Sequence, residues 1–227
     1  METLAGNSDL QAIISEADTL DGMTGDLLDY IRAEENGYIL QKRNIDIVEK
    51  VGFTCVNFKE VFRDKSVKLK FQHTDKQIMM SVDSKAIGKI LTSVLNYVSG
   101  YAVNTVEVCL ERIGTELDVT VRYDTYPVGE RHAEYMFKPF SQYASTRSIG
   151  IGLSYARTLA QIHGGDLEFA LEPSRRKACF TFRLPIEQSK EPETLKHDDI
   201  IINSALPLIL IVEGNSKLLA YMKKHLK

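Results

Sequence analysis

The sequence predicts an α/β fold, a two-layer α/β sandwich with helices on a largely antiparallel sheet and one long helix ahead of it. Three observations carry this expectation. Leu10, Ile13, Ala17, Leu20, Thr24, Leu27 and Ile31 follow one another three or four residues apart, which is a heptad seam on one helix. Between residues 67 and 184, short runs alternate apolar and polar side chains with the period of a half-buried strand. Between those runs lie two stretches, 84–101 and 150–163, whose apolar residues recur at helical spacing.

The elements follow in order. Ser8 and Asp9 cap the first helix, Gly22 and Gly25 weaken it from within, and Asn36-Gly37 ends it. Such a helix needs a partner, either the sandwich or another copy of the chain. Residues 45–48 read as a strand and 49–62 as a helix; Val67, Leu69 and Phe71 mark a second strand and 78–82 a third. Ile87, Ile90, Leu91, Val94, Leu95 and Val98 give the helix 84–101 its apolar face. Val106, Val108 and Leu110, then Leu117, Val119, Val121 and Tyr123, alternate as two strands turning at Gly114. An irregular stretch, 124–149, precedes the helix 150–163; Gly164-Gly165 then leads into strands at 166–171 and 178–184. The expected domains are therefore a helix at 1–35, the sandwich at 36–186, a polar linker at 187–206 around Pro192, and the first strand and helix of a second domain at 207–227.

Composition limits the function. The 227 residues carry 28 basic and 31 acidic side chains, 28 − 31 = −3, with 44% hydrophobic and 26% charged residues. That is an ordinary globular chain able to bury a core. It lacks the basic footprint of a nucleic-acid or membrane-surface binder, so neither partner is expected. The longest apolar run, Ala205 to Val212, has eight residues, against roughly 20 for a membrane helix. Glu2 after Met1 does not begin a signal peptide. Cys55, Cys109 and Cys179 stand isolated among apolar residues and read as reduced, buried thiols rather than metal or redox sites, so a cytoplasmic location is expected.

Four stretches in fixed order point to chemistry: the helix opening at Asp83, Phe137-Lys138-Pro139-Phe140, Gly150-Ile151-Gly152-Leu153, and Ile162-His163-Gly164-Gly165. Their order and spacing resemble the ATP-binding domain of sensor histidine kinases, in the Bergerat (GHKL) superfamily shared with gyrase, Hsp90-type chaperones and mismatch-repair proteins. The segment Ile209 to Asn215 resembles the first strand of a response-regulator receiver. Together they resemble a hybrid two-component sensor kinase of the Bacteroides type.

The resemblance implies ATP and Mg²⁺ as ligands and assigns positions for them. A helical asparagine would hold Mg²⁺, but Tyr97 stands at its place and Ser93 at that of an earlier asparagine. Asn96, one position away and about 100° around the helix, reads as an exterior polar residue or a displaced ligand. Asp124 would accept from the adenine amino group. Tyr126 and Val128 stand where glycines belong, and Tyr126 is of a size to fill the adenine cavity. Phe137 and Phe140 form the family's phenylalanine box, or simply anchor a loop. Gly150, Gly152 and Leu153 open a helix whose N–H groups suit phosphate, with Ser148 replacing the usual first glycine. Arg147 or Arg157 either adds a phosphate contact or lies solvated on the surface. None of His73, His132, His163, His197 and His225 has the context of the family's phosphoacceptor histidine, so no catalytic residue is assigned. Likewise Glu213-Gly214 stands in place of the receiver's acidic pair.

Two functions follow from the resemblance: a non-catalytic signalling module with a degenerate nucleotide site, or an active domain that phosphorylates a histidine in a phosphorelay. The implied partners are a second copy of the chain, through the first helix, and a receiver domain.

Overall fold

The computed structural model describes residues 2–35, 37–127, 129–141, 150–174 and 176–186. The expected linker and receiver start, 187–227, lie outside the described residues. In chain order the elements are α1 (Glu2–Glu34), β1 (Arg43–Asp46), α2 (Ile47–Asp64), β2 (Lys68–His73), β3 (Met79–Val82), α3 (Ser84–Tyr101), β4 (Ala102–Ile113), β5 (Glu116–Thr125), α4 (Glu130–Tyr135), α5 (Gly152–Ile162), β6 (Asp166–Leu171) and β7 (Lys177–Pro185). One sheet has the order β2-β4-β5-β7-β6, and β1 and β3 pair separately. Three of its four pairings are antiparallel; β2 and β4 run parallel because β3 and α3 lie between them in the chain.

Two expectations are corrected here. Residues 45–48 do not form one strand, because Asp46 caps α2: its carboxylate accepts from the amide of Val48 at 3.0 Å. The chain turns helical at Ile47, and Ile47 and Val48, apolar enough to read as strand, are buried on the inner face of α2. The stretch 124–149 is not wholly irregular, since it contains α4.

The sheet has two unlike faces. Val106, Val108, Leu117, Val119, Phe180 and Phe182 are at most 2% exposed and pack against the apolar faces of α3 and α5. The opposite face carries ion pairs: Lys70 Nζ lies 2.5 Å from Glu107, and Arg183 holds both oxygens of Asp118 at 2.9 and 3.2 Å.

Asp83 joins the layers. Its Oδ1 caps α3 by accepting from the amides of Lys85 and Ala86, at 2.9 and 3.2 Å. Its Oδ2 accepts from the Gln41 amide at 3.0 Å and the Tyr38 hydroxyl at 3.4 Å. The C-terminal part of α1 folds onto α5: Ala33 is buried, Tyr30 meets Tyr155 edge-on at 6.2 Å, and Glu34 accepts from the Thr158 hydroxyl at 2.7 Å. Lys89 of α3 pairs with Asp26. The seam of α1 keeps Leu10, Ile13, Leu20 and Ile31 exposed, while Leu27 turns partly toward the sandwich and Leu28 lies on the exposed side.

Candidate functional site

The candidate site lies where the end of α3, the end of β5 and the start of α5 face one another. On α3, helical spacing puts Tyr97 on the inner face with Val94 and Val98, whereas Asn96 is exposed. Tyr97 is 6% exposed. Its ring stacks on Tyr101 at 4.7 Å and meets Phe180 of β7 edge-on at 5.4 Å. Its hydroxyl is hydrogen-bonded to Nε2 of His132 in α4. Burial, then the neighbouring Tyr123 and Tyr101, push its phenol far above the ordinary range, so it stays neutral. Position 97 thus presents a phenol engaged within the protein, not the amide oxygen that a hard cation favours.

The strand period decides the other polar group. Leu117, Val119, Val121, Tyr123 and Thr125 of β5 alternate on the helix-facing side and are all buried. Tyr123 therefore occupies the inward position at the end of the strand, beside Tyr97 and stacked at 6.4 Å on Phe180. Asp124, the residue expected at the adenine amino group, is out of phase: it pairs with Lys177 and points to the opposite face of the sheet. One residue of register reverses the face in a strand, so Asp124 lies on the side opposite Tyr123. The neighbouring Thr125 hydroxyl is buried with no hydrogen-bond partner among the described residues.

Tyr126 is also corrected. It is 74% exposed and does not fill a cavity, because the strand has ended and the chain bends outward there. The buried tyrosines near it are Tyr97 and Tyr123. Val128 and Ser148, with Arg147, lie outside the described residues.

In the phenylalanine box, Phe137 meets Phe180 edge-on at 6.3 Å and lies under the Arg157 guanidinium at 5.1 Å. Phe140 instead is 65% exposed and holds a left-handed φ of 60°. Arg157 is paired, since both oxygens of Asp166 accept from it at 3.0 Å, while its side chain stays 40% exposed. Gly150 has φ 79°, and a Cβ there would come within 2.6 Å of the Ser141 carbonyl oxygen, so only glycine fits where the chain is pinched. Gly152 opens α5 opposite Ser93 of α3, with no side-chain cap, and Leu153 is buried behind it.

His132 and Tyr123 went unrecognised as site residues in the sequence. The signal for Tyr123 was its phase with Leu117, Val119 and Val121. His132 had no local signal, because its partner lies 35 residues earlier in the chain.

Residues 83–188 match the model of the family described as histidine kinase-, DNA gyrase B- and HSP90-like ATPase. The sensor protein EvgS of Escherichia coli strain K12 is 23% identical over 185 residues, covering 77% of this chain and 15% of that protein. Across the curated relatives that match, the chain spans between 15% and 37% of their length. The fold is that of Acinetobacter baumannii histidine kinase AdeS, with a TM-score of 0.66, 14% identity, and coverage of 78% of this chain and 84% of that one. Histidine kinase ThkA, solved in complex with the response regulator TrrA, superposes with a TM-score of 0.61 at 21% identity, covering 79% and 51% of the two chains. The curated relatives that match are named as sensor proteins or sensor histidine kinases.

Proposed function

We propose that this chain is a sensor-kinase ATP-binding-type domain that serves as a non-catalytic signalling module, with nucleotide binding lost or strongly impaired. The observation that carries the reading is the buried Tyr97, hydrogen-bonded to His132 and stacked on Tyr101, at the position the resemblance gives to a metal-binding asparagine. Tyr123 at the inward end of β5, and Asp124 on the far face, support it. A ligand entering between these side chains must break packing that holds the core.

Partners follow from surfaces. The exposed apolar line of α1, with Leu10, Ile13, Leu20, Leu28 and Ile31 each at least 42% exposed, suits the same helix of a second copy. A receiver domain is the second partner, by analogy with the ThkA–TrrA complex. No described helix is long and apolar enough to cross a membrane, and a cytoplasmic setting accords with the buried thiol of Cys55.

The rival reading, an active phosphorelay domain, draws on Gly150 and Gly152, which lie just before and at the start of α5. Thermal unfolding with millimolar ATP or ADP, with and without Mg²⁺, separates the two. Saturable binding raises stability by about 2.7 kcal/mol at 100 times Kd. The proposal expects no shift of the melting temperature; a clear rise would support the rival.

A further inference from the structure

We propose that the open edge of β2, with the flank of α2 beside it, takes an extended segment of a partner protein whose side chains alternate between apolar and acidic. Among the described residues β2 is an edge strand: β4 pairs with it on one side and no strand on the other. The Thr74 amide donates to the Leu110 carbonyl at 3.4 Å, continuing the register in which His73 lies beside Leu110. Successive residues of a strand turn their amides and carbonyls to opposite sides, so the even-numbered residues bond β4. The amides and carbonyls of Leu69, Phe71 and His73 therefore point to the open edge, a template for an added strand.

The groove beside this edge is built by α2. Gly52, Val56, Lys59 and Arg63 recur at helical spacing and form one stripe. Lys50, on the opposite flank, reaches over Gly88 of α3, so the stripe faces away from α3 and toward the edge. A Cβ at Gly52 would come within 3.3 Å of the Phe71 ring, so glycine lets the helix lie close on β2 there. Phe71 and Leu69 stay half-buried, and Val56, one turn on from Gly52, is 66% exposed. Apolar side chains on the inner side of an added strand would cover Phe71 and Val56.

Charge selects the occupant. Lys68 and Lys70 alternate with Leu69 and Phe71 and so lie on the outer face of the sheet, while Lys59 and Arg63 line the helix. Lys70 is paired with Glu107 and Arg63 with Glu60, but Lys59 and Lys68 make no ion pair with a described residue. Acidic side chains on the outer side of the added strand would meet Lys68. Antiparallel pairing with β2 of a second copy would instead put Lys68 and Lys70 of both copies on one face, where like charges repel. The surface does not involve the candidate site, and the proposal holds whether or not nucleotide binds.

Fluorescence anisotropy of the full chain with a labelled octapeptide alternating glutamate and valine tests this. The peptide should bind saturably, and hydrogen exchange of the chain across 68–73 should slow when it does. The matched lysine–valine peptide should not bind. Lys59→Glu with Lys68→Glu, both at exposed positions, should weaken the glutamate peptide by about tenfold and let the lysine peptide bind. No binding of the glutamate peptide at millimolar concentration would overturn the proposal, as would equal binding of the two peptides or slowed exchange only outside 68–73. Loss of peptide binding as the chain concentration rises would assign the edge to a second copy and overturn it as well. Should the double variant fold poorly, the contrast between the two peptides on the wild type still decides.

Discussion

The backbone amide of Asp83 donates to Nε2 of His163 at 3.3 Å, joining residues 80 apart in the chain. His163 Nδ1 in turn donates to the Leu159 carbonyl at 2.8 Å, which fixes its neutral tautomer. The start of α3 and the end of α5, the two helices that frame the site, are thus tied through one capping residue.

Asp83→Ala should cost about 2–4 kcal/mol, combining a lost N-cap with lost charge-assisted bonds. Urea unfolding measures it. The pH dependence has a definite sign. Burial pushes the Asp83 carboxyl up, but the amides of Gln41, Ala86 and Lys85 together hold it below the usual range. Its contribution is present above about pH 3.9 and is lost as pH falls through the lower folded value. Asp83→Asn should flatten that acid limb of the stability profile.

Tyr97 and Tyr126 should behave oppositely. Tyr97→Ala removes a buried ring and leaves His132 without its partner, costing about 3–5 kcal/mol. Tyr126→Ala, at a 74% exposed position, should fall within about 0.5 kcal/mol of wild type. Chemical denaturation of the two variants side by side checks the contrast.

That contrast marks how far the sequence could be read. The helix 84–101 and the strand 166–171 are found with the bounds expected of them, because Asp83 caps the one and Gly164-Gly165 precedes the other. The alternation of 117–123 was equally plain, and it carried the answer for Tyr123. The family motif drew the reading to Asp124 instead, one residue out of phase. Tyr97 was legible as an oddity in a helix, but its pairing with His132 depends on a tertiary contact that no local pattern encodes. The same holds for Arg157, whose partner Asp166 lies beyond a helix end and a turn.

Restoring family residues by alignment alone should fail. The triple change Tyr97→Asn, Tyr126→Gly and Val128→Gly supplies an amide oxygen and glycines, yet leaves Tyr123 inward and Asp124 on the opposite face. Equilibrium dialysis with labelled ATP and Mg²⁺ should detect no binding by this variant at micromolar nucleotide.

The exposed line of α1 should govern assembly. Ile13→Glu with Leu20→Glu puts charges at positions 64% and 63% exposed, away from the contacts of Tyr30 and Ala33 with the sandwich. Sedimentation should show wild-type dimers and monomeric variant with an unchanged melting temperature. A dimer that survives both changes would place the interface elsewhere.

On the proposed reading, Tyr97, Tyr101 and Tyr123 stand where the resemblance would put a nucleotide. Titration calorimetry of the wild-type chain with Mg·ATP tests it most directly. The account predicts no saturable heat up to millimolar nucleotide. Stoichiometric binding at micromolar affinity would contradict it, because Tyr97, Tyr101 and His132 could not then hold the contacts described.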